Sequence, residues 1–356
     1  MSYPRFKLRA LAVAGCVTAA LAGAACSSSG ASGGSSTSGV VTVAVVSNPL
    51  ITSQMIPLTT SNFEKQYPGI KVKFATYTEG DLRAAIEKDV STHSNAFNVI
   101  MIGPYEAPLF AKNGWLANLS TQFIAKSPSY DAADLLPPIA KALSYKGGLY
   151  AVPFYGESSM VFYNKTLFAK AKLTMPLHPT WAQVQTFAAK LNQPGKVAGI
   201  CLRGLAGWGD NMAALDTVVN TFGGEWFNLK WEPQLTSPAF KAATNFYVNL
   251  IRKSGEPGAT SSGFTECETA MAQGKTSMWV DATVAAGQLT DPTHPTLNPV
   301  PYVGIQYVDI PQFESLGLQV AQQIAGAIAG TETVSQALKT SQADAAVYTP
   351  AELSGS

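Results

Sequence analysis

The sequence predicts an α/β protein of open, largely parallel sheets with helices on their faces, and three observations predict it. Short apolar runs rich in β-branched residues recur at 41–46 (VTVAVV), 70–75 (IKVKFA) and 98–102 (NVIMI). Segments with helical spacing separate them, 55–67 closed by Pro68-Gly69, and 79–91 with Leu82, Ala85, Ile86 and Val90 on one face. A chain of 356 residues, 46% of them hydrophobic, is long enough for two packed domains of this kind.

Ahead of the first strand lies an address rather than a domain. Arg5, Lys7 and Arg9 precede an apolar stretch from Ala10 to Ala25, and the small residues Gly23-Ala24-Ala25 lead into Cys26. This is the pattern of a bacterial lipoprotein signal over residues 1–26, with Cys26 as the expected lipidation site and 27–39 as a flexible Ser/Gly tether. Cys16 follows Val13-Ala14-Gly15, a closer lipid-box spelling, but cleavage there leaves an apolar stretch too short to engage the export machinery. An uncleaved anchor helix is the alternative, and Ala10 to Ala25 is short for a membrane span. The expectation is an extracytoplasmic, soluble, monomeric body held to the outer face of the cell membrane by a lipid alone.

The body starts with the strand at 41–46 and its two successors. A second α/β block begins near Gly156. Strands are expected at 150–154, 159–163 and 197–202. Helices are expected at 180–191 with Thr180 as N-cap, at 212–222 ending in Gly223-Gly224, and after Ser237-Pro238 through Ile251. Two more are expected at 319–329 and 334–346, the latter capped by Thr333. Of four cysteines, only Cys201 and Cys267 lie in the body, and in an exported protein a lone pair favours a disulfide over two reduced thiols.

Charge and motifs exclude several classes. Twenty-four Lys+Arg against 23 Asp+Glu leave a formal charge of +1, too little to gather nucleic acid. No metal-ligand spacing occurs, the three histidines are isolated, and no phosphate loop is present. No cofactor or metal is expected.

Several stretches, in one order, resemble family 1 extracellular solute-binding proteins, the sugar-binding partners of ABC importers. They are 63–72 (FEKQYPGIKV), 98–102 (NVIMI), 148–154 (GLYAVPF), 160–165 (MVFYNK) and 271–279 (MAQGKTSMW). Residues 199–204 (GICLRG) and 291–296 (DPTHPT) are most similar to the sorbitol and mannitol branch. The resemblance implies a two-lobe clamshell of type II that captures a sugar or sugar alcohol in its cleft and hands it to permease subunits. It implies a first lobe at 40–155 and 270–290, a second at 156–269 and 291–347, and a C-terminal tail at 348–356. One departure stands out. After Trp279-Val280-Asp281 the family continues with a strand, a Trp-bearing ligand loop and a crossing strand and helix, whereas here Ala286–Leu289 runs straight into the tail. The chain is read as lacking an internal block after about residue 289, and with it part of the ligand wall.

A polyol requires rings to stack on and fixed polar groups at their edges. The loop 204–211 (GLAGWGDN) offers Trp208 and Asp210, with Arg203 just before it. Tyr105 and Glu106 follow the third strand, Tyr155 and Glu157 the 150–154 run, and Asn48 and Tyr77 the first two strands, all at the strand ends that face a crevice in open α/β sheets. Trp279 and Asp281, two apart on one strand, share a face and complete the set. The bland alternative is that these rings pack inward and Glu106 is solvated. A secreted carbohydrate-active hydrolase using Glu106 and Glu157 as paired carboxylates is the enzymatic alternative. A truncated, non-binding remnant is the third reading.

Overall fold

The β-branched run after the tether forms a central strand because both its faces can be covered at once by helices. In the computed structural model this is β1, Gly39–Val46, flanked in parallel by β2, Ile70–Tyr77, and by β3, Val99–Ile100. The structure describes residues 38–48, 50–289, 297–302, 308, 310 and 312–353. The expected signal segment, Cys16, Cys26 and the tether up to Thr37 lie outside the described residues.

The order β2-β1-β3 reverses direction at β1. In a doubly wound sheet that switch opens a crevice between the carboxyl ends of the strands on either side of it, which places Asn48 and Tyr105 at one rim. The chain from β1 to β2 is helical from Ile51 to Gln66, in alternating π-type and α-type turns. Pro57 lacks the backbone donor a regular helix needs, and the turns on both sides of it widen. Helix α1, Glu79–Thr92, starts at the Thr78 cap and buries Leu82 and Ile86 against Ala44 and Phe110. Helix α2, Glu106–Lys112, follows β3. A small hairpin pairs β4, Ser144–Tyr145, with β5, Gly148–Leu149, across a turn in which Lys146 and Gly147 have positive φ. The strand expected at 150–154 does not form, since Pro153 has no donor for a ladder.

The second sheet is antiparallel. Its centre is β6, Ser159–Asn164, between β7, Met278–Ala282, and β8, Leu297–Tyr302. The run 198–201 lies parallel to β7 through the bridges Ala198↔Thr276 and Cys201↔Trp279, short of a full strand. Gly199 explains its position, because a Cβ there would lie 2.0 Å from the Ala188 carbonyl oxygen of the helix packed on it. One expectation is corrected here. The segment 270–290 does not return to the first sheet, because β7 takes its hydrogen bonds from β6.

Helix ends follow local chemistry. In α3, Trp181–Leu191, Thr180 and Gln183 form a capping box, and Thr333 and Gln336 do the same for α8, Val334–Ala345. Between them come α4, Asn211–Thr221, α5, Pro238–Ser254, capped by Ser237, α6, Phe264–Ala272, and α7, Phe313–Ala329. Helix α7 starts six residues before the expected 319, where Phe313 and Leu316 supply buried positions. The expected tail is not loose: Leu353 is 1% exposed and joins the core of α4, α5, α7 and α8. From Ser38 onward the two sheets belong to one packed unit. No helix among the described residues is long and apolar enough to cross a membrane.

Cys201 and Cys267 are bonded, with 5.5 Å between their Cα atoms, and tie the 198–201 run to α6. The bridge spans 66 positions, so its removal from the unfolded chain frees considerable loop entropy. Replacing Cys267 by Ala should lower stability by about 2–4 kcal/mol, read as a lower thermal midpoint. Two free thiols found by mass spectrometry in the exported protein would contradict the bond.

Candidate functional site

Two buried arginines organise the crevice, one from each lobe. In the first lobe Arg83, one turn into α1, donates from Nε to Glu79 Oε1 at 3.1 Å and from Nη2 to the same oxygen at 2.5 Å. Its Nη1 reaches Glu106 Oε2 at 3.1 Å and the Met101 carbonyl at 2.8 Å. Burial opposes the charge of Arg83, but Glu79 and Glu106 outweigh it and hold the guanidinium protonated. Glu106 is only 1% exposed and accepts from the Gly103 amide as well. It is therefore an anchor for Arg83 and not a solvated loop carboxylate. Burial raises its pKa, partly countered by Arg83.

In the second lobe Arg203 donates from Nε to Asp281 Oδ2 at 2.8 Å, from Nη2 to Asp281 Oδ1, and from Nη1 to the Gly209 carbonyl. Asp281 Oδ2 also accepts from Trp279 Nε1 at 2.8 Å, and the Tyr247 hydroxyl donates to the Arg203 carbonyl. This fork fixes both ends of the 204–211 loop. Trp208 then meets the first lobe directly, with Tyr105 edge-on at 5.0 Å between ring centroids and the Arg83 guanidinium 5.2 Å from the ring, while Phe313 of α7 backs it from its own lobe at 6.1 Å. Burial lifts Asp210, at the start of α4, to a pKa of about 6 against the pull of Arg203. A cavity of about 10 Å³ behind the fork, lined by Ser159, Arg203, Thr217 and Asp281, has room for one water.

The structure thus brings Tyr105, Glu106, Arg203, Trp208, Asp210 and Asp281 to one crevice. Asn48, 7% exposed, places its side-chain amide beside the Tyr155 hydroxyl at the same rim. Trp279 is corrected: it is fully buried among Phe162, Phe264 and the disulfide, so its ring has no face to offer. Tyr77 packs into the first core against Phe97, 6.2 Å away. Glu157 is exposed and its Oε1 accepts from the Val284 amide at 3.3 Å. With Glu106 enclosed and bound to Arg83, the two do not form an acid and base pair. Cys201, Cys267 and Glu256 lie within 4.8 Å of one another, yet the bonded sulfurs supply no thiolate for a metal. Glu79, Arg83, Glu268 and Phe313 were missed by the sequence reading. The available signal was an arginine at the helical spacing of buried Leu82 and Ile86, with a glutamate four residues earlier.

With this geometry in view, the profile of bacterial extracellular solute-binding proteins matches residues 48–311. The chain belongs to that family. A mannitol-binding protein of Pseudomonas aeruginosa is 33% identical over 403 aligned positions, covering 85% of this chain and 91% of the relative. A solute-binding protein from Agrobacterium vitis, solved with D-mannitol bound, superposes with a TM-score of 0.80 at 35% identity, over 86% of this chain and 97% of that one. A ribitol-bound homologue from Agrobacterium radiobacter, 18% identical with a TM-score of 0.77 over 87% and 98% of the two chains, supports the fold. This solute-binding protein is thus an extracytoplasmic component of an ABC transporter with the type II two-lobe fold, and a binding protein rather than an enzyme. The alignment with the Pseudomonas protein takes in about 303 residues of this chain across 403 positions, so about 100 positions have no counterpart here.

Close to the second fork, Glu268 is 5% exposed and its Oε1 has no partner among the described residues. Burial, helped by Asp281 and opposed by Arg203, lifts its pKa from the ordinary 4.5 to about 7. The folded state therefore keeps a proton that the unfolded chain releases, so stability falls as pH rises from 4.5 to about 7 and stays lower above. Glu268→Gln should recover up to roughly 3 kcal/mol at pH 8 and nothing near pH 4. Equal thermal midpoints of variant and wild type across pH 4–8 would contradict this.

Proposed function

We propose that this solute-binding protein captures a linear sugar alcohol, D-mannitol or a close stereoisomer, and delivers it to the permease subunits of an ABC importer. The observation that carries the reading is the Trp208 ring set between the Arg203–Asp281 fork, Asp210 and the Arg83–Glu79–Glu106 cluster. A ring offers a face to C–H groups, while charged donors and acceptors fixed around it suit a chain of hydroxyls. Because each arginine is already paired with carboxylate, the site favours a neutral guest over an anion. The mannitol-binding relative and the D-mannitol-bound homologue support the same ligand class. Asp210, Tyr105, Tyr155 and Asn48 are proposed as further contacts.

The body acts as a monomer tethered by residues 27–38 from a lipidated Cys26, Gly39 of the expected tether being the first residue of β1, with the lobe boundary near Gly156. The gap of about 100 aligned positions favours one second reading, a folded remnant that has lost ligand capture. A thermal-shift screen separates the two. D-mannitol at 100 times its Kd should stabilise the protein by about 2.7 kcal/mol, and a cooperative melt unmoved by mannitol, sorbitol and ribitol would establish the remnant. Trp208→Ala should weaken binding more than ten-fold, above ~1.4 kcal/mol. Calorimetry giving wild-type affinity in a folded variant would remove Trp208 from the site.

A further inference from the structure

The crevice is bridged by the protein's own side chains. Arg83 stands over Trp208 across the two lobes, and Tyr105, from the loop after β3, is 3% exposed within the core of the second lobe, 5.8 Å from the Phe313 ring. At the same place Gly209 lies beneath Glu79. A Cβ on Gly209 would come within 2.6 Å of Glu79 Cγ. Gly209 does not have positive φ, so its backbone accepts alanine and the glycine is required for room alone.

We propose that Glu79 is a positioning residue for ligand capture: it seats in the notch at Gly209, aims Arg83 at Trp208, and so latches the two lobes through protein contacts alone. Glu79 suits this role because one carboxylate oxygen receives both Nε and Nη2 of Arg83, while Glu106 and the Met101 carbonyl take Nη1. A guanidinium with an acceptor on each of its three nitrogens has one aim, and a desolvated cation over an indole is a favourable contact. Without ligand the lobes rest together, and a polyol enters when the latch opens. The latch does not depend on the ligand, but its effect on affinity rests on the polyol reading above.

Small-angle scattering of the ligand-free protein tests it together with D-mannitol titration. Gly209→Ala should increase the radius of gyration and weaken mannitol binding at least ten-fold, because the new methyl holds Glu79 out of the notch. Once Glu79 is gone the methyl has nothing to displace, so adding Gly209→Ala to Glu79→Ala should change neither the radius of gyration nor the affinity further, a coupling that independent sites do not show. Glu79→Ala by itself should open the protein and speed mannitol association, which keeps the proposal testable should Gly209→Ala fail to fold. A wild-type radius of gyration in folded Gly209→Ala, additive expansion in the double variant, or unchanged dimensions in Glu79→Ala would each overturn the latch. If these dimensions shift as expected while mannitol binds no variant and not the wild type, the latch stands and the polyol reading falls.

Discussion

A buried guanidinium is tolerated only when carboxylates and carbonyls replace its water, and that requirement shapes both halves of this protein. Arg203 is held by Asp281 and the Gly209 carbonyl, Arg83 by Glu79, Glu106 and the Met101 carbonyl. Removing one partner from such a set leaves an uncompensated charge in a dry site, which costs far more than a surface pair contributes. Each clamp therefore fixes the loop that supplies its acceptors. In the second lobe this is the Trp208 loop, and in the first it is the turn from Met101 to Glu106. Each wall of the crevice is held in shape because it is stitched to its own cation.

The lobes contribute unequally to stability. The second has a continuous core in which α4, α5, α7 and α8 bury Leu215, Tyr247, Val320 and Leu338 completely. The first has a thin core, with Ala44, Leu82, Ile86 and Phe110 as its central buried residues. Tyr105 leaves the first lobe to join the larger core of the second. A lean domain that lends an aromatic ring to its neighbour gains burial it lacks alone. The same contact that supports the first lobe also brings the two rims together.

Features set by local chemistry were legible in the sequence. The strand at β1 follows from its β-branched run, and the ends of α3, α5 and α8 follow from Thr180, Ser237 and Thr333, whose hydroxyls need only the next turn of backbone. The glycine-rich loop around Trp208 was legible for a similar reason. Pairing was not. The run MWVDA is buried at all five positions, so alternation could not tell which face of β7 meets ligand, and Trp279 was assigned outward when it points into a core. Nor does chain order reveal that β7 pairs with β6. Arg83 and Glu79 were overlooked because charges four apart on a helix ordinarily mark a solvated face. Here that face is turned toward the other lobe.

The described elements make a self-sufficient architecture because they satisfy one another. β7 has β6 on one side and the 198–201 run on the other, and β8 takes the remaining edge of β6, so the centre of the sheet keeps its hydrogen bonds. The two arginine clamps draw every partner from segments that precede Ala282. The charged scaffold of the crevice is therefore complete within residues 79–281. The two clamps meet at Trp208, where the Tyr105 ring and the Arg83 guanidinium of one lobe rest against the indole of the other, so the distance between the lobes is set by side chains that each clamp already holds.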